Sequence, residues 1–362
     1  MVVPVIEIIP SKSIRSDAER EAMLADPGFG RYFTDHMVTI KWSEKRGWHE
    51  GQLVPYGPLS MDPANMTLHY AHEIFEGMKA YRHPDGEVAT FRPEENAERF
   101  RRSARRLAMP ELPVEAFIKA CDVLVDQDEL WVPAHGGEEA LYLRPFMIAT
   151  EVGLGVRPAD EYLFLVIASP VGALSTDVNK PMTIWLSEDH VRAVPGGIGD
   201  AKTGGNYAAS LLAQVEATTR GCDQVCYLDA VERRWVEELG GMNLYFVYGD
   251  KIVTPPLTGS LLPGITRDSI LTVARDLGYV AEESRVSVDQ WQADAENGTL
   301  TEVFACGTAA VLTPVGTVKR TGATWRQSGG QPGKVTLKLR EALLNIQQGL
   351  VEDKHGWMHM VA

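Results

Sequence analysis

The chain has 362 residues, 44% of them hydrophobic and 23% charged, with 35 Lys and Arg against 49 Asp and Glu for a formal net charge of -14. That length exceeds what one hydrophobic core usually sustains, so two domains are expected. The acidic balance disfavours nucleic acid as the main partner, because a polyanion is bound chiefly by neutralising its phosphates, and the longest apolar stretch, 162–174, is broken by Pro170 and too short to cross a bilayer, so no membrane span is expected.

In chain order, residues 62–70 lead into a strand at 77–81, a turn at His83-Pro84-Asp85-Gly86 and a short strand at 87–91, the pattern of a hairpin. Over 94–108, Ala97, Phe100, Ala104 and Leu107 recur at helical spacing until Pro110 ends the run. A second helix is predicted over 114–126, and strands over 140–150 and 162–169. The polar, turn-rich stretch from Pro170 to Pro181 predicts an interdomain linker at 171–181, between domains of 1–170 and 182–362.

The second half opens with a strand at 182–187, a Gly-rich loop at 196–205 holding Lys202, and a helix at 207–220 that Asn206 caps and Gly221 stops. Strands at 224–228, 234–238, 243–248 and 251–254 follow at close intervals, as in a β-meander. Leu261 to Thr266 opens a further helix with Thr266 at its cap and Gly278 at its end. A strand at 302–306 runs into Gly307-Thr308-Ala309-Ala310, and a final helix covers 334–350. The four cysteines, Cys121, Cys222, Cys226 and Cys306, are too sparse for a disulfide framework and suit a reducing cytoplasm. Cys222 and Cys226 lack a second pair at zinc spacing, so no metal is expected. The first ten residues lack a basic region and carry Pro4, Glu7 and Pro10, which argues against a signal or transit peptide.

Three features suit a phosphate-bearing ligand. Gly264-Ile265-Thr266 at a helix start offers unpaired N–H groups, a hydroxyl and the helix dipole. Gly307-Thr308-Ala309 is a tight turn after a strand, able to aim N–H groups into a cleft. The third is a helix rich in arginine, with Arg92, Arg99, Arg101, Arg102, Arg105 and Arg106. Each also fits a plain structural reading as a capped helix, a common turn or a solvated face, and periodicity alone does not choose among the arginines. Lys202 stands in Gly199-Asp200-Ala201-Lys202-Thr203-Gly204-Gly205-Asn206-Tyr207, a flexible backbone just before a helix. A lysine amine attacks a carbonyl only when unprotonated, which a desolvated setting near other cations favours. Glu238, at a strand end beside Gly240-Gly241, is placed to set a carboxylate against a heterocycle or simply to face solvent.

The strings Leu68-His69-Tyr70, Phe75-Glu76-Gly77-Met78-Lys79-Ala80-Tyr81, Tyr142-Leu143-Arg144-Pro145, Lys202-Thr203-Gly204-Gly205-Asn206-Tyr207, Glu238-Leu239-Gly240-Gly241-Met242-Asn243, Leu262-Pro263-Gly264-Ile265-Thr266-Arg267 and Gly307-Thr308-Ala309 occur in an order that resembles the bacterial branched-chain amino acid aminotransferases. The match runs from about Phe29 to the C-terminus, and single strings are shared with other fold type IV pyridoxal phosphate enzymes. The resemblance implies a mixed α+β, two-domain fold, with a smaller N-terminal domain and a larger C-terminal domain that has a β-barrel-like core and carries the lysine. It further implies reversible ping-pong transfer of the amino group between leucine, isoleucine or valine and 2-oxoglutarate, with glutamate as product, in a cytoplasmic homodimer.

By the same resemblance, Lys202 would hold pyridoxal 5'-phosphate as a Schiff base and shuttle the substrate proton. Glu238 would pair with the ring nitrogen and Tyr207 with the ring oxygen. Arg99, the backbone at Ile265, Thr266 and Thr308 would hold the phosphate. Phe29, Phe75 and Tyr142 would wall an apolar pocket, while the Ala309 amide, Arg144 and Tyr70 from a second subunit would handle carboxylates. Such a pocket favours leucine-like side chains by about 1 to 3 kcal/mol per methylene, and Arg144 suits the second carboxylate of glutamate. Alternatives are a D-amino acid aminotransferase or aminodeoxychorismate lyase of the same fold, or a phosphate-ligand binding protein without turnover. Animal members carry a C-x-x-C redox pair just after the Gly-Thr-Ala turn; here Ala310 and Thr313 stand there, so no such switch is expected. Gly241 replaces a threonine of the animal members, which removes one hydrogen bond from the expected cofactor network.

Overall fold

The computed structural model describes residues 4–172 and 180–361. Its contacts define two compact units, one of Met1–Leu174, Ala201–Gly204 and Asn345–Ala362, the other of Ser175–Asp200 and Gly205–Leu344. This differs from a contiguous division at 170 and 182. The lysine loop and the C-terminal segment group with the first unit, which is therefore the longer of the two. Of the expected linker, Val171 still belongs to a strand, and 173–179 lie outside the described residues.

The first unit carries β1 (Ile6–Ile8), β2 (His36–Ser43), β3 (Gly47–Pro55), β4 (Glu73–Phe75), β5 (Met78–Arg82), β6 (Val88–Phe91), β7 (Ala140–Ala149) and β8 (Glu161–Val171). With the C-terminal strand Met358–Met360 they form a sheet in the order β1-β3-β2-β8-β7-β5-β6 and C-terminal strand, with β4 also on β7. Long apolar runs make β7 and β8 its centre, paired antiparallel from Ala140↔Val171 to Ala149↔Tyr162. Pro170 is tolerated one residue from the strand end, where a missing N–H disturbs the ladder least. The helices are α1 (Asp17–Ala25), α2 (Met66–Tyr70), α3 (Pro93–Arg106) and α4 (Val114–Gln127). The predicted stripe of α3 is buried at Ala97, Phe100 and Ala104. Phe100 meets Phe117 of α4 and Phe164 of β8 at ring-centroid distances of 5.5 Å each, which fixes both helices on the sheet. Pro93 opens α3 at a position where its missing N–H costs nothing.

The second unit holds β9 (Met182–Ser187), β10 (Gln224–Leu228), β11 (Val236–Leu239), β12 (Asn243–Tyr248), β13 (Lys251–Thr254), β14 (Val280–Glu283), β15 (Glu302–Gly307), β16 (Val311–Arg320) and β17 (Ala323–Arg326). Their order is β11-β10-β9-β16-β15-β12-β13-β14, with β17 on β16, and a further β11–β12 pairing closes six of them into a barrel. The predicted meander is present from β10 to β13. Phe246, Trp291 and Trp325 pack edge to face at 5.0 and 5.8 Å in its core. The remaining helices are α5 (Gly204–Thr219), α6 (Ile265–Asp276), α7 (Val288–Asn297) and α8 (Lys334–Gln347).

Three predicted helix ends need correction. Helix α5 starts at Gly204, so Asn206 lies inside it and does not cap it; its amide instead donates to the Ile198 carbonyl at 2.8 Å. Gly264 is the N-cap of α6, and Thr266 is its second helical residue. Helix α8 ends at Gln347, three residues before Leu350. Among the described residues, no helix is long and apolar enough to cross a membrane.

Candidate active site

In the first unit, four hydrogen bonds grip the lysine segment. The Lys202 N–H donates to Ser103 Oγ at 2.9 Å, and its carbonyl accepts from the Phe75 N–H at 3.0 Å. The next two residues meet Glu73, whose Oε1 accepts from the Thr203 hydroxyl at 3.3 Å and from the Gly204 N–H. The Lys202 ammonium lies 4.8 Å from the centroid of the Phe75 ring. The Arg144 guanidinium sits 4.7 Å from that centroid and 5.4 Å from that of Tyr142, and donates to the Tyr142 hydroxyl at 3.0 Å. Tyr142 in turn packs on Phe29 at 5.1 Å. Strands β4 and β7 thus bring Phe75, Tyr142 and Arg144 beside the lysine. Gly77 makes room for this: a Cβ there would lie 2.0 Å from the Tyr142 hydroxyl oxygen.

Helix α3 presents a second face beside its apolar stripe, with Asn96, Arg99 and Ser103 all buried. Arg99 grips Glu76 with two prongs, Nε to Oε1 at 2.7 Å and a terminal nitrogen to Oε2 at 2.8 Å. Asn96 donates to the same carboxylate at 2.7 Å. Burial alone would raise the Glu76 carboxyl, but the charge and hydrogen bonds of Arg99, the charge of Lys202 and the Asn96 amide together hold it below its ordinary value. Arg99, expected as a phosphate ligand, therefore stands here as one half of a buried ion pair. Tyr70 ends the short α2, 43% exposed, with its hydroxyl on the Leu154 carbonyl at 2.5 Å.

In the second unit, Glu238 of β11 is buried, not exposed at a strand end. Its Oε1 lies 2.7 Å from Arg192 and accepts from the Leu262 N–H at 3.1 Å, and its Oε2 accepts from the Asn243 amide at 3.0 Å. Arg192 also donates to the carbonyls of Gly199 and Ser260, at 3.1 and 3.3 Å. Ile265 and Thr266 form the first turn of α6, which receives no hydrogen bond from a capping side chain. Such a turn leaves N–H groups available to an anion. Thr308 and Ala309 occupy the turn from β15 to β16, half-buried, next to Val311 with its φ of 57°. Tyr207 is half-buried in α5.

Sequence reasoning missed Glu73, Glu76, Ser103, Arg192 and Asn243 as neighbours of these residues. Glu76 and Asn243 lie within the strings shared with the family, and Ser103 stands four residues, about one helical turn, from Arg99. Nothing in the spacing marks Glu73 or Arg192, whose partners are set by tertiary packing.

The chain matches the family model described as amino-transferase class IV over residues 73–318. It is 76% identical over 362 residues to a probable branched-chain-amino-acid aminotransferase of Streptomyces coelicolor, with 100% of each chain covered. It is 58% identical over 347 residues to the branched-chain-amino-acid aminotransferase of Mycolicibacterium smegmatis, covering 95% of this chain and 94% of that one. Among solved structures, the T.th. branched-chain amino acid aminotransferase with pyridoxamine 5'-phosphate aligns at a TM-score of 0.74 and 32% identity, over 89% of this chain and 98% of that one. The same protein complexed with N-(5'-phosphopyridoxyl)-L-glutamate or with 4-methylvaleric acid aligns at 0.72 and 30% identity, over the same shares.

Proposed function

This chain belongs to the class IV aminotransferases, within the branched-chain amino acid aminotransferase family, and we propose that it transfers the amino group reversibly between leucine, isoleucine or valine and 2-oxoglutarate with pyridoxal 5'-phosphate. The observation that carries this reading is the grouping of Lys202 with the Phe75 ring, Tyr142 and Arg144 inside one unit: an amine, apolar walls and a guanidinium. When bound, the cofactor supplies an electron-withdrawing ring that takes up the electron pair released as the substrate Cα loses its proton.

The residues present fit that group. Lys202 offers the attachment amine and, once released, the base that moves the Cα proton. The Glu238 carboxylate suits the ring nitrogen and Tyr207 the ring oxygen. For the phosphate, we propose as ligands the first turn of α6 at Ile265 and Thr266, which has no side-chain cap, together with Thr308 and Arg99. Arg144 Nε is buried with no hydrogen-bond partner, which suits a substrate carboxylate arriving beside it. The Ala309 amide would serve the other carboxylate, and Phe29, Phe75 and Tyr142 the aliphatic side chain.

A homodimer is part of the same reading, with Tyr70 reaching the neighbouring subunit's site. Its support is a set of exposed apolar side chains on the first unit, Leu68, Val152, Leu154 and Val156, near a Tyr70 that bonds Leu154. Four free, buried cysteines support a cytoplasmic location. Steady-state rates with leucine, isoleucine, valine and glutamate against their 2-oxo acids test the substrate reading, and a strong preference for D-alanine would overturn it. Borohydride reduction and peptide mapping must place the phosphopyridoxyl group on Lys202. Light scattering should return twice the mass of one chain.

A further inference from the structure

We infer that Glu73 is a positioning residue for the reaction, holding the Lys202 segment so that its amine presents itself at a fixed place and angle. This rests on the reading of Lys202 as the attachment residue. Ala201–Gly204 is a four-residue excursion of the chain that packs with the first unit while the residues on either side of it pack with the second. So short a segment supplies little apolar area to hold itself in place. The four hydrogen bonds described above help to hold it, and three of these involve β4, from the Phe75 N–H and the Glu73 carboxylate.

The role of Glu73 is distinct from that of the other two partners. Ser103 and Phe75 fix the backbone of Lys202 itself, whereas Glu73 fixes the next two residues and takes up the first N–H of α5, a group with no acceptor inside the helix. Among the described residues, no other side chain bonds either group. Thr203 is buried, so its hydroxyl without Glu73 would be a desolvated donor with nothing to bind. Gly204 is needed because a Cβ there would lie 2.5 Å from Glu73 Oε1, so glycine lets the carboxylate reach the backbone. β4 holds the carboxylate in register, with Glu73 opposite Ile148 and Phe75 opposite Phe146 of β7. One short strand therefore sets both the aromatic ring under the amine and the clamp on the loop that carries it.

Both bonds reach the same oxygen of Glu73. Burial raises the carboxyl above its ordinary value, against the opposing hydrogen bonds of Gly204 and Thr203 and the charge of Arg144. A proton on Oε2 leaves Oε1 free to accept both bonds, so the clamp needs an acceptor at that place and not a negative charge. The chemistry thus separates the conservative amide from a truncation.

The test compares the wild type with Glu73→Gln, Glu73→Ala and Thr203→Val in full-length holoenzyme. Glu73→Ala should lower kcat for leucine by about tenfold or more, move the pH midpoint of the absorbance band of the lysine-bound cofactor, and speed amide hydrogen exchange at 202–204. KM should change less than kcat. Glu73→Gln should recover most of each loss, and Thr203→Val should show a smaller loss of the same sign. If Glu73→Ala lowers Tm while kcat, the spectral midpoint and exchange at 202–204 stay at wild-type values, Glu73 is merely structural and the inference is overturned. The same holds if Glu73→Gln is as impaired as Glu73→Ala. If Glu73→Ala does not fold, the Gln and Val variants decide by the same readouts. A wild type that borohydride does not label on Lys202 overturns the underlying reading instead, and hydrogen exchange still reports on the clamp.

Discussion

Glu238 and Asn243 face each other in the registered pair that joins β11 to β12, and the Asn243 amide donates to Glu238 Oε2 at 3.0 Å. That pairing closes the six-stranded barrel, so the residue proposed to meet the cofactor ring is also placed at the seam. The same amide donates to the Leu262 carbonyl at 3.1 Å, just before α6, and a Cβ on Gly264 would meet Asn243 Oδ1 at 2.1 Å. Asn243 thus ties the seam to the entry of α6. Asn243→Ala leaves a buried carboxylate oxygen and a carbonyl each short of a donor, which costs about 1 to 3 kcal/mol. Urea unfolding should show that loss as a lower midpoint; an unchanged midpoint would mean that solvent replaces the amide and the seam does not depend on it.

The Arg99–Glu76 pair predicts an acid-dependent component of stability. Glu76 is held below its ordinary value in the folded chain, so its contribution is present above the unfolded-state pKa of about 4.3 and is lost as pH falls through the lower folded value. Glu76→Gln removes that titration. Its unfolding free energy should be lower than that of the wild type at pH 7, and the gap should narrow as pH falls below about 4. Glu76→Ala, which leaves the Arg99 guanidinium without this partner in a buried place, should be worse, by about 3 to 5 kcal/mol at pH 7. A gap that does not vary with pH would refute the assignment to this carboxyl.

Much of this architecture was legible because local and tertiary preferences agree. The α3 stripe of Ala97, Phe100 and Ala104 has one period and one burial face, and β9, β10, β12 and β13 are short apolar runs bounded by turn residues. The hairpin of β2 and β3 was not legible: His36, Lys41, His49 and Glu50 interrupt its alternation, and His36 is buried only because Asp128, far along the chain, accepts its Nδ1–H at 2.6 Å. The C-terminal strand is three residues long and is held from outside, by pairing with β6 and by His359 on Asp122 at 3.0 Å. The start of α5 was misread for the same reason, since its first N–H is satisfied by Glu73, 131 residues away. Side-chain roles divided likewise. Lys202, Phe75, Tyr142 and Arg144 lie together in the first unit, but Glu73, which bonds Thr203 and Gly204, and Arg192, which bonds Glu238, carry no local signature.

Gly77 sets the position of the Tyr142 ring. An alanine Cβ at 2.0 Å from the hydroxyl oxygen and 2.8 Å from Cζ is closer than van der Waals contact permits, so Gly77→Ala must turn the ring away. Turning it breaks the Arg144 bond to the hydroxyl and shifts the contact with Phe29. KM for leucine and for its 2-oxo acid should rise by about tenfold, the scale of one misplaced apolar contact. Removing the hydroxyl as well, in the pair Gly77→Ala and Tyr142→Phe, should recover part of the loss, because the 2.0 Å contact is gone while the 2.8 Å contact remains. An unchanged KM in the single variant would mean that Tyr142 does not line the side-chain pocket.

The cysteines give a prediction about oxidants. All four are free and buried, and burial pushes each thiol up, Cys306 to about 12. A thiol reacts through its thiolate, and at pH 8 a group titrating near 12 is ionised to about one part in ten thousand. Cys306 lies on β15, next to the turn that bears Thr308 and Ala309, and stands opposite Leu312 of β16, so neither that partner nor Ala310 or Thr313 offers a sulfur with which to form a disulfide. Native protein should therefore react with Ellman's reagent only on the timescale of unfolding, and denatured protein should release four equivalents at once, one for each cysteine in the chain. Turnover should be unchanged by hydrogen peroxide at concentrations that oxidise an exposed, acidic thiol. Rapid labelling of one native cysteine together with loss of turnover would show a reactive thiol, and would require the segment around it to open far more often than its packing implies.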